Sequence, residues 1–376
     1  MNYSYWETEH LLAEIDYLIV GMGLVGLQTA VALKEKEPKA HVVVIDRHAW
    51  GLGASTRNAG FGCFANVSEI LDDLKTDTPE NVYQTIQKRY HGLHKLRNKF
   101  GDQAIDYVAK GSCEIFTKQN RDDLSAAIDS IQAINTILHS ELGLERTFTY
   151  TSNNPLPNAI GAIRNSYEGQ LNTGKLYKSI YSFGQQLGIK LYGGIEVKAW
   201  EKADKVAVQT ADGLTIKTNN LIICTNAFAS QLLDEDIAPC RGQVIVSEPL
   251  EQLPCEGLYM YNQGYYYWRD IDNRILLGGA RNMDIKGETS YEINSNDTII
   301  SELKRFMMEE IFGKDVQTAI GIDHQWSGIM GMGKDHAKAP LVKRVEPNVY
   351  LAARLGGMGV ALSATVAEDV VTLMHS

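Results

Sequence analysis

The sequence predicts an α/β fold in which a doubly wound domain is interleaved with a second domain of mixed-sheet, α+β type. Three observations predict it. The apolar run Ile15–Val20 leads directly into Gly21-Met22-Gly23-Leu24-Val25-Gly26, a G-x-G-x-x-G turn, and then into the helix-compatible run Leu27–Lys36. A second apolar run, His41–Ile45, ends in Asp46. That carboxylate lies about 20 residues past the last glycine, where a dinucleotide-binding βαβ unit carries its ribose-binding acid. Strand, glycine-rich turn and helix then return near the end of the sequence, at Val349–Ala353, Gly356-Gly357-Met358-Gly359 and a helix to about Met374.

Each glycine of the first turn has its own task. Gly21 permits the tight turn, Gly23 lets backbone approach a pyrophosphate, and Gly26 lets helix and strand pack closely. The helix start then presents free N–H groups and a favourable dipole to phosphate. Gly51–Phe64 (GLGASTRNAGFGCF) has no helical period, and its small residues suit close approach of backbone to a ligand. Pro79 opens a helix with apolar positions Val82, Ile86, Tyr90, Leu93 and Leu96 at spacings of three and four. A second amphipathic helix is predicted over 121–142, and both read as scaffold.

A further helix over 173–187 closes at Gly188, a C-cap residue. Strands are predicted at 189–192, 196–199, 205–209 and 214–217, the last two around the Asp212-Gly213 turn, followed by a separate buried strand at 220–224. The middle third changes character. Stretches 243–246, 258–261, 265–269 and 275–278 are rich in aromatic and β-branched residues and read as an antiparallel sheet, with a helix over 298–312 after it. No repeat or low-complexity linker is present, so the domains interleave. Residues 1–95, 165–235 and 326–376 are assigned to the nucleotide-binding domain, and 96–164 and 236–325 to a substrate domain.

Composition narrows the function. The 376 residues are 44% hydrophobic and 22% charged, ordinary values for a globular enzyme. A net charge of −10 argues against a nucleic-acid partner. No Lys or Arg precedes Lys34, so a positive signal region is not expected, and the longest apolar run, Tyr17–Leu27, is too short to span a bilayer. Cys63, Cys113, Cys224, Cys240 and Cys255 form no C-x-x-C pair. They fit a reduced, cytoplasmic protein without disulfides or a metal site. H-E-x-x-H, P-loop and G-x-S-x-G motifs are absent, which leaves hydrolase and nucleotidase readings without support.

The blocks IDYLIVGMGLVGLQTA, VVVIDR, GASTRNAGF, IICTNAFAS, YYYWRDIDNRILLGGAR and VYLAARLGGMGVALS, in this order, resemble those of the FAD-dependent amine and amino-acid oxidases. That group contains D-amino-acid oxidase, glycine oxidase and monomeric sarcosine oxidase. Ser4-Tyr5-Trp6-Glu7 and GASTRNAGF are most similar to its gamma-glutamylputrescine oxidoreductase branch. The resemblance implies a Rossmann-like FAD-binding domain and a mixed sheet that roofs the flavin. It implies hydride transfer to flavin N5 from the carbon bearing the amine, an imine that hydrolyses, and oxygen or another acceptor for the electrons.

By the same resemblance, Gly21, Gly23 and Gly26 would meet the pyrophosphate, Asp46 the adenosine ribose and Val197 the adenine, with Met22 and Arg47 also counted as cofactor-binding. Ala54, Ser55, Arg57, Asn58, Ala59 and Gly60 would line phosphate and flavin, and Thr225 would lie near the pyrophosphate. Gly356, Gly357, Met358 and Gly359 would aim the last helix at the flavin pyrimidine edge, where a helix dipole stabilises the negative charge of reduced flavin. Asp46 as a plain strand-end acid and Arg57 as a surface cation stay open as alternatives.

On the substrate side, Tyr265 matches a substrate-contacting tyrosine, and strand alternation puts Tyr265 and Tyr267 on one face, with sheet packing the alternative for each. Met330 stands where relatives carry a carboxylate-binding arginine, and Leu276 where sarcosine oxidase carries a lysine. Arg281 and Arg354 are then the candidate carboxylate anchors, each with an ordinary salt bridge as its alternative. Glycine and simple D-amino acids are expected to be poor substrates beside a larger substituted amine. No cysteine lies in Gly328–Met332, so FAD is expected to be non-covalent. Two other functions share the scaffold: a protein that keeps FAD without turnover, and a non-oxidative flavoprotein such as an RNA-modification component.

Overall fold

The computed structural model describes residues 4–7, 9, 14–152, 156–313, 320–334 and 338–376. Its first sheet has eight strands. In space their order begins Leu341–Glu346, Val349–Ala353, Thr215–Ile223, Ile15–Val20, Val42–Asp46 and Lys190–Gly193, with Val206–Thr210 and Val197–Lys202 added beside Thr215–Ile223. Ile15–Val20 lies at the centre, parallel to Val42–Asp46 on one side and to Thr215–Ile223 on the other. A strand flanked on both sides and covered on both faces reads as a continuous apolar run, and here Leu18 and Ile19 are wholly buried. Helices Leu24–Lys36, Thr173–Gln186 and Gly359–Met374 cover one face in a common apolar core. By length and hydropathy the 19 residues Gly356–Met374 pass for a membrane-spanning stretch, yet 56% of it is buried inside the fold.

Residues 214–217 and 220–224, expected as two strands, form one strand, Thr215–Ile223. The two asparagines that suggested a break are accommodated. Asn219 donates to an Asp16 carboxylate oxygen at 3.1 Å and Asn220 to the Asp16 carbonyl at 3.1 Å. The first half pairs antiparallel with Val206–Thr210 and the second half parallel with Ile15–Val20, so one strand serves both arrangements.

The second sheet also has eight strands: Ile322–Met332, Ala238–Ser247, Arg274–Gly279, Tyr266–Ile271, Leu258–Tyr261, Ser112–Thr117, Ala159–Asn165 and Phe148–Thr151. Trp268, Ile275 and Leu277 bury one face of it under the helix Asp297–Phe306. That helix stops six residues short of the expected end, because Met307–Ile311 widens into a π turn in which the Phe312 N–H donates to the Met307 carbonyl. Ile322–Met332 pairs along its length with Ala238–Ser247. Residues 326–332, grouped by sequence with the nucleotide-binding domain, therefore hydrogen-bond into the second sheet. This crossing brings the two domains together at one place.

Candidate active site

The glycine turn has the geometry its spacing predicts. Gly21 sits at φ +108°, and a Cβ there would stand 2.6 Å from the Cys224 carbonyl oxygen. At Gly26 an added Cβ would lie 1.9 Å from the Gly21 carbonyl oxygen. Gly23 differs, since its φ of −79° is open to any residue. It caps the helix Leu24–Lys36 without a side chain of its own. Asp46 accepts the Met22 N–H at 2.8 Å and the His48 N–H at 2.9 Å, which fixes the carboxylate beside the turn.

A cleft of about 330 Å³ opens above these groups. Its walls include Gly21, Gly23, Asp46, Arg47, Ala54, Ser55, Val197 and Thr225, so the sequence-predicted cofactor residues from five separate stretches meet around one space. Met22 is buried in the core beneath and faces the turn only through its backbone. The Arg47 guanidinium lies 3.8 Å over the Phe228 ring, a cation–π contact that sets the cleft edge. Thr225 Oγ1 is buried with no partner. A buried hydroxyl left unpaired costs free energy, and a phosphate oxygen in the cleft would satisfy it. The residues present fit a dinucleotide.

Each carboxylate oxygen has a second lone pair, so Asp46 retains capacity for ribose hydroxyls. Asp46→Ala is expected to weaken FAD binding about ten- to hundredfold, the value of a charge-assisted hydrogen bond. Fluorescence titration of the apoprotein measures it, and an unchanged affinity would reduce Asp46 to a brace for Met22 and His48.

The loop after the cleft contains one helical turn, Ala54–Arg57. Ser55 Oγ accepts the Leu24 N–H at 2.9 Å and so ties this turn to the first helix. Asn58 spends its side chain on the loop itself: its amide donates to the Ala54 and Ser55 carbonyls, and its Oδ1 accepts from Gly60 N–H and Thr173 Oγ1. Arg57 donates to the Ser327 carbonyl at 2.9 Å, while Trp326 Nε1 donates back to the Arg57 carbonyl at 2.8 Å. Arg57 Nε is buried and unpartnered. The surface-cation alternative is thereby removed, since Arg57 joins the loop to the second sheet.

Arg269, which sequence reading passed over, holds the same loop from below. It is 5% exposed, donates from Nε to the Ala59 carbonyl at 2.7 Å, and reaches the Leu171 carbonyl at 3.2 Å. Burial pushes its pKa down to about 10, still cationic at neutral pH. Its one sequence signal is a basic residue inside an aromatic strand.

Beyond Arg57 the second sheet carries three glycines. Gly328 faces Arg57 and Ala54, Gly242 is paired with it across the strands, and Gly278 lies under the Tyr267 ring. Arg57, the Met330 methyl and the Tyr267 ring pack into the room these glycines leave, beside an apolar cluster of Ala59, Val244 and Leu276 with Phe61 and Trp326. The Tyr267 hydroxyl approaches Gly242 and has no hydrogen-bond partner among the described residues. Burial pushes its pKa up to about 12, so it stays protonated. Met330 points its methyl at Gly242 from the neighbouring strand.

Tyr265 does not share that face. The strand begins at Tyr266, after a turn through Asn262, Gln263 and Gly264 at positive φ, and Tyr265 packs with Tyr266 and Trp268 on the opposite side. Alternation cannot be extended through that turn, and Tyr265 serves sheet packing. Arg354 is also committed, donating to an Asp236 carboxylate oxygen at 2.6 Å and to the Ala339 carbonyl at 3.1 Å. The Arg281 carbonyl accepts the Asp284 N–H at 3.1 Å, and its side chain has no hydrogen bond or ion pair among the described residues. Asn226, which sequence reading left unassigned, accepts the Arg354 N–H and touches Gly331, joining the cleft to the last turn. There Gly356 takes φ +56°, Gly357 faces open space, and the helix Gly359–Met374 starts without a side-chain cap.

A family profile described as FAD dependent oxidoreductase, the DAO family, matches residues 16–373. The chain belongs to this family. It is an FAD-dependent oxidoreductase. Among curated proteins it is 24% identical to a probable oxidoreductase of Haemophilus influenzae, over 94% of this chain and 81% of that one. Among solved structures it is similar to glycine oxidase from Geobacillus kaustophilus, with TM-score 0.72, 19% identity and coverage of 96% and 94%. Iminodiacetate oxidase from Chelativorans sp. gives TM-score 0.72 at 18% identity, covering 96% and 95%. These likenesses establish the fold.

Cys240, in register with Met330, is 2% exposed, and burial pushes its thiol pKa up. Acid precipitation of the yellow protein is therefore expected to release intact FAD into the supernatant. Flavin retained in the pellet would contradict a non-covalent cofactor.

Proposed function

We propose that this FAD-dependent oxidoreductase oxidises the C–N bond of an amine or amino acid. The observation that carries the reading is the apolar sheet face that Arg57 joins to the loop lining the cofactor cleft. It is apolar at Leu276 and Val244, it sets Met330 and Tyr267 over Gly242 and Gly278, and the Tyr267 hydroxyl there is neutral. Bound in the cleft, FAD would supply a two-electron acceptor. The protein's part is to hold a neutral amine with its C–H bond in a fixed orientation and to keep water away. The carbon gives up a hydride and the nitrogen a proton; the resulting imine adds water and separates into a carbonyl compound and an amine. The electrons leave to oxygen or another acceptor.

The solved neighbours named glycine oxidase and iminodiacetate oxidase act on small amino acids, which supports a substrate of that size. The apolar Met330 position favours a larger substituted amine over glycine or D-alanine. Five unpaired cysteines support a cytoplasmic setting. Trapping the carbonyl product with a hydrazine, alongside quantified amine release, tests the bond assignment. One carbonyl per electron pair delivered to the acceptor is expected. Oxidation of a C–O bond without amine release would contradict it.

A further inference from the structure

We propose that Tyr291 and Phe228 are positioning residues for the cofactor: they hold the Arg47 guanidinium ready for the adenosine diphosphate half of the dinucleotide. A loop of the second domain thereby governs how firmly the first domain keeps FAD. The inference does not depend on which bond of the substrate is oxidised.

The three residues come from three separate parts of the chain. Arg47 directly follows the strand Val42–Asp46, and Arg47 and Phe228 both line the cleft of about 330 Å³. The guanidinium lies 3.8 Å over the Phe228 ring. Phe228 belongs to the short turn Asn226–Gln231, which follows the strand Thr215–Ile223. Tyr291 arrives from the other domain, in the loop that precedes the helix Asp297–Phe306. Its ring centroid stands 5.3 Å from that of Phe228, with the planes at 42°. Its hydroxyl is hydrogen-bonded to Ser230 Oγ, and Ser230 donates to the Ala227 carbonyl at 2.9 Å. Tyr291 therefore grips the turn that carries Phe228 at two points, through its ring and through its hydroxyl.

Stacking restrains a guanidinium without using its hydrogen-bonding edge. The Arg47 side chain has five N–H donors, and it makes no hydrogen bond or ion pair among the described residues. By contrast Arg57 is spent on the Ser327 carbonyl and Arg354 on Asp236. Arg47 is thus a cation in the cleft wall, oriented by an aromatic ring, with its donors open to an anionic ligand. Ordering the side chain beforehand lowers the entropy that binding must overcome. The loop that supplies Tyr291 is itself pinned. Arg241 donates to the carbonyl of Glu292, the next residue, at 3.3 Å, and pairs with the fully buried Glu288. The chain of contacts runs from that buried ion pair through Tyr291 and Phe228 to the cleft.

Two readouts test this: FAD release from the diluted holoprotein, followed by the rise in flavin fluorescence, and ADP binding to the apoprotein, followed by calorimetry. Arg47→Met should speed release and weaken ADP about ten- to hundredfold. Tyr291→Leu should do the same about two- to tenfold, the value of an aromatic contact. Tyr291→Phe keeps the ring and should stay within about twofold of the wild type. In the Arg47→Met background Tyr291→Leu should have no further effect, because it acts through Arg47. Phe228→Leu, which keeps apolar bulk and removes the ring, should show the same dependence on Arg47 and serves if Tyr291→Leu folds poorly. Equal losses in both backgrounds would make Tyr291 a brace of the fold and overturn the proposal. An Arg47→Met protein that holds FAD and ADP like the wild type would also overturn it. So would faster FAD release with ADP binding untouched, or a wild-type apoprotein that does not bind ADP.

Discussion

Gly26→Ala should yield protein that contains little or no FAD. The added methyl would sit 1.9 Å from the Gly21 carbonyl oxygen, inside the turn that joins the central strand to the first helix. Backbone on both sides is fixed by the parallel pairs of Ile15–Val20, so relief requires the helix to move off the sheet. The phosphate-facing helix start would move with it. Flavin content per protein after purification measures the effect, with near-UV circular dichroism reporting whether the domain still packs. By contrast Gly23→Ala, at an ordinary φ and opposed only by the Ser55 hydroxyl, should keep the fold and lose affinity more modestly. Wild-type flavin content in Gly26→Ala would refute the close approach on which the cofactor site is built.

Glu288→Ala should be the most destabilising change in the substrate domain. Arg241 and Glu288 are 6% and 0% exposed at their side chains and form a buried ion pair. Removing one member leaves the other charge uncompensated, which costs about 3–5 kcal/mol. Gln243 and Asn296 lose an acceptor at the same time. The double replacement Arg241→Met with Glu288→Ala should recover much of the loss, because no isolated charge remains. Denaturant midpoints for the single and double variants measure this. A single variant as stable as the wild type would mean that the loop from Arg281 to Asn296 is not held by this pair.

Much of the cofactor site was legible in the sequence because its determinants are local. A tight turn needs Gly21, a helix start needs Gly26, and the acid at Asp46 follows after one helix and one strand. The helices Pro79–Phe100 and Arg121–Leu142 were legible for the same reason, through proline and apolar spacing. What could not be read depends on distant partners. Ser112–Thr117 carries the buried Glu114 and has a weak alternation; it is a strand because Leu258–Tyr261 and Ala159–Asn165 flank it. Asn219 and Asn220 resemble a break until Asp16 supplies their partners. Tyr265 follows the alternation of Tyr267 on paper, and three residues at positive φ before it cancel that rule. Arg269, Asn226 and Glu288 gain their meaning from loops more than a hundred, or tens of, residues away. No local pattern marks them.

Anaerobic titration of the purified holoprotein with a library of amines and amino acids, followed by flavin absorbance, tests the central claim most directly. At least one substituted amine or amino acid should bleach the flavin fully and rapidly, with glycine and D-alanine slow or inert. Admission of an acceptor should restore the colour. A flavin that stays oxidised against the whole library, yet reduces with dithionite, would contradict C–N oxidation and leave a protein that binds FAD without turning an amine over.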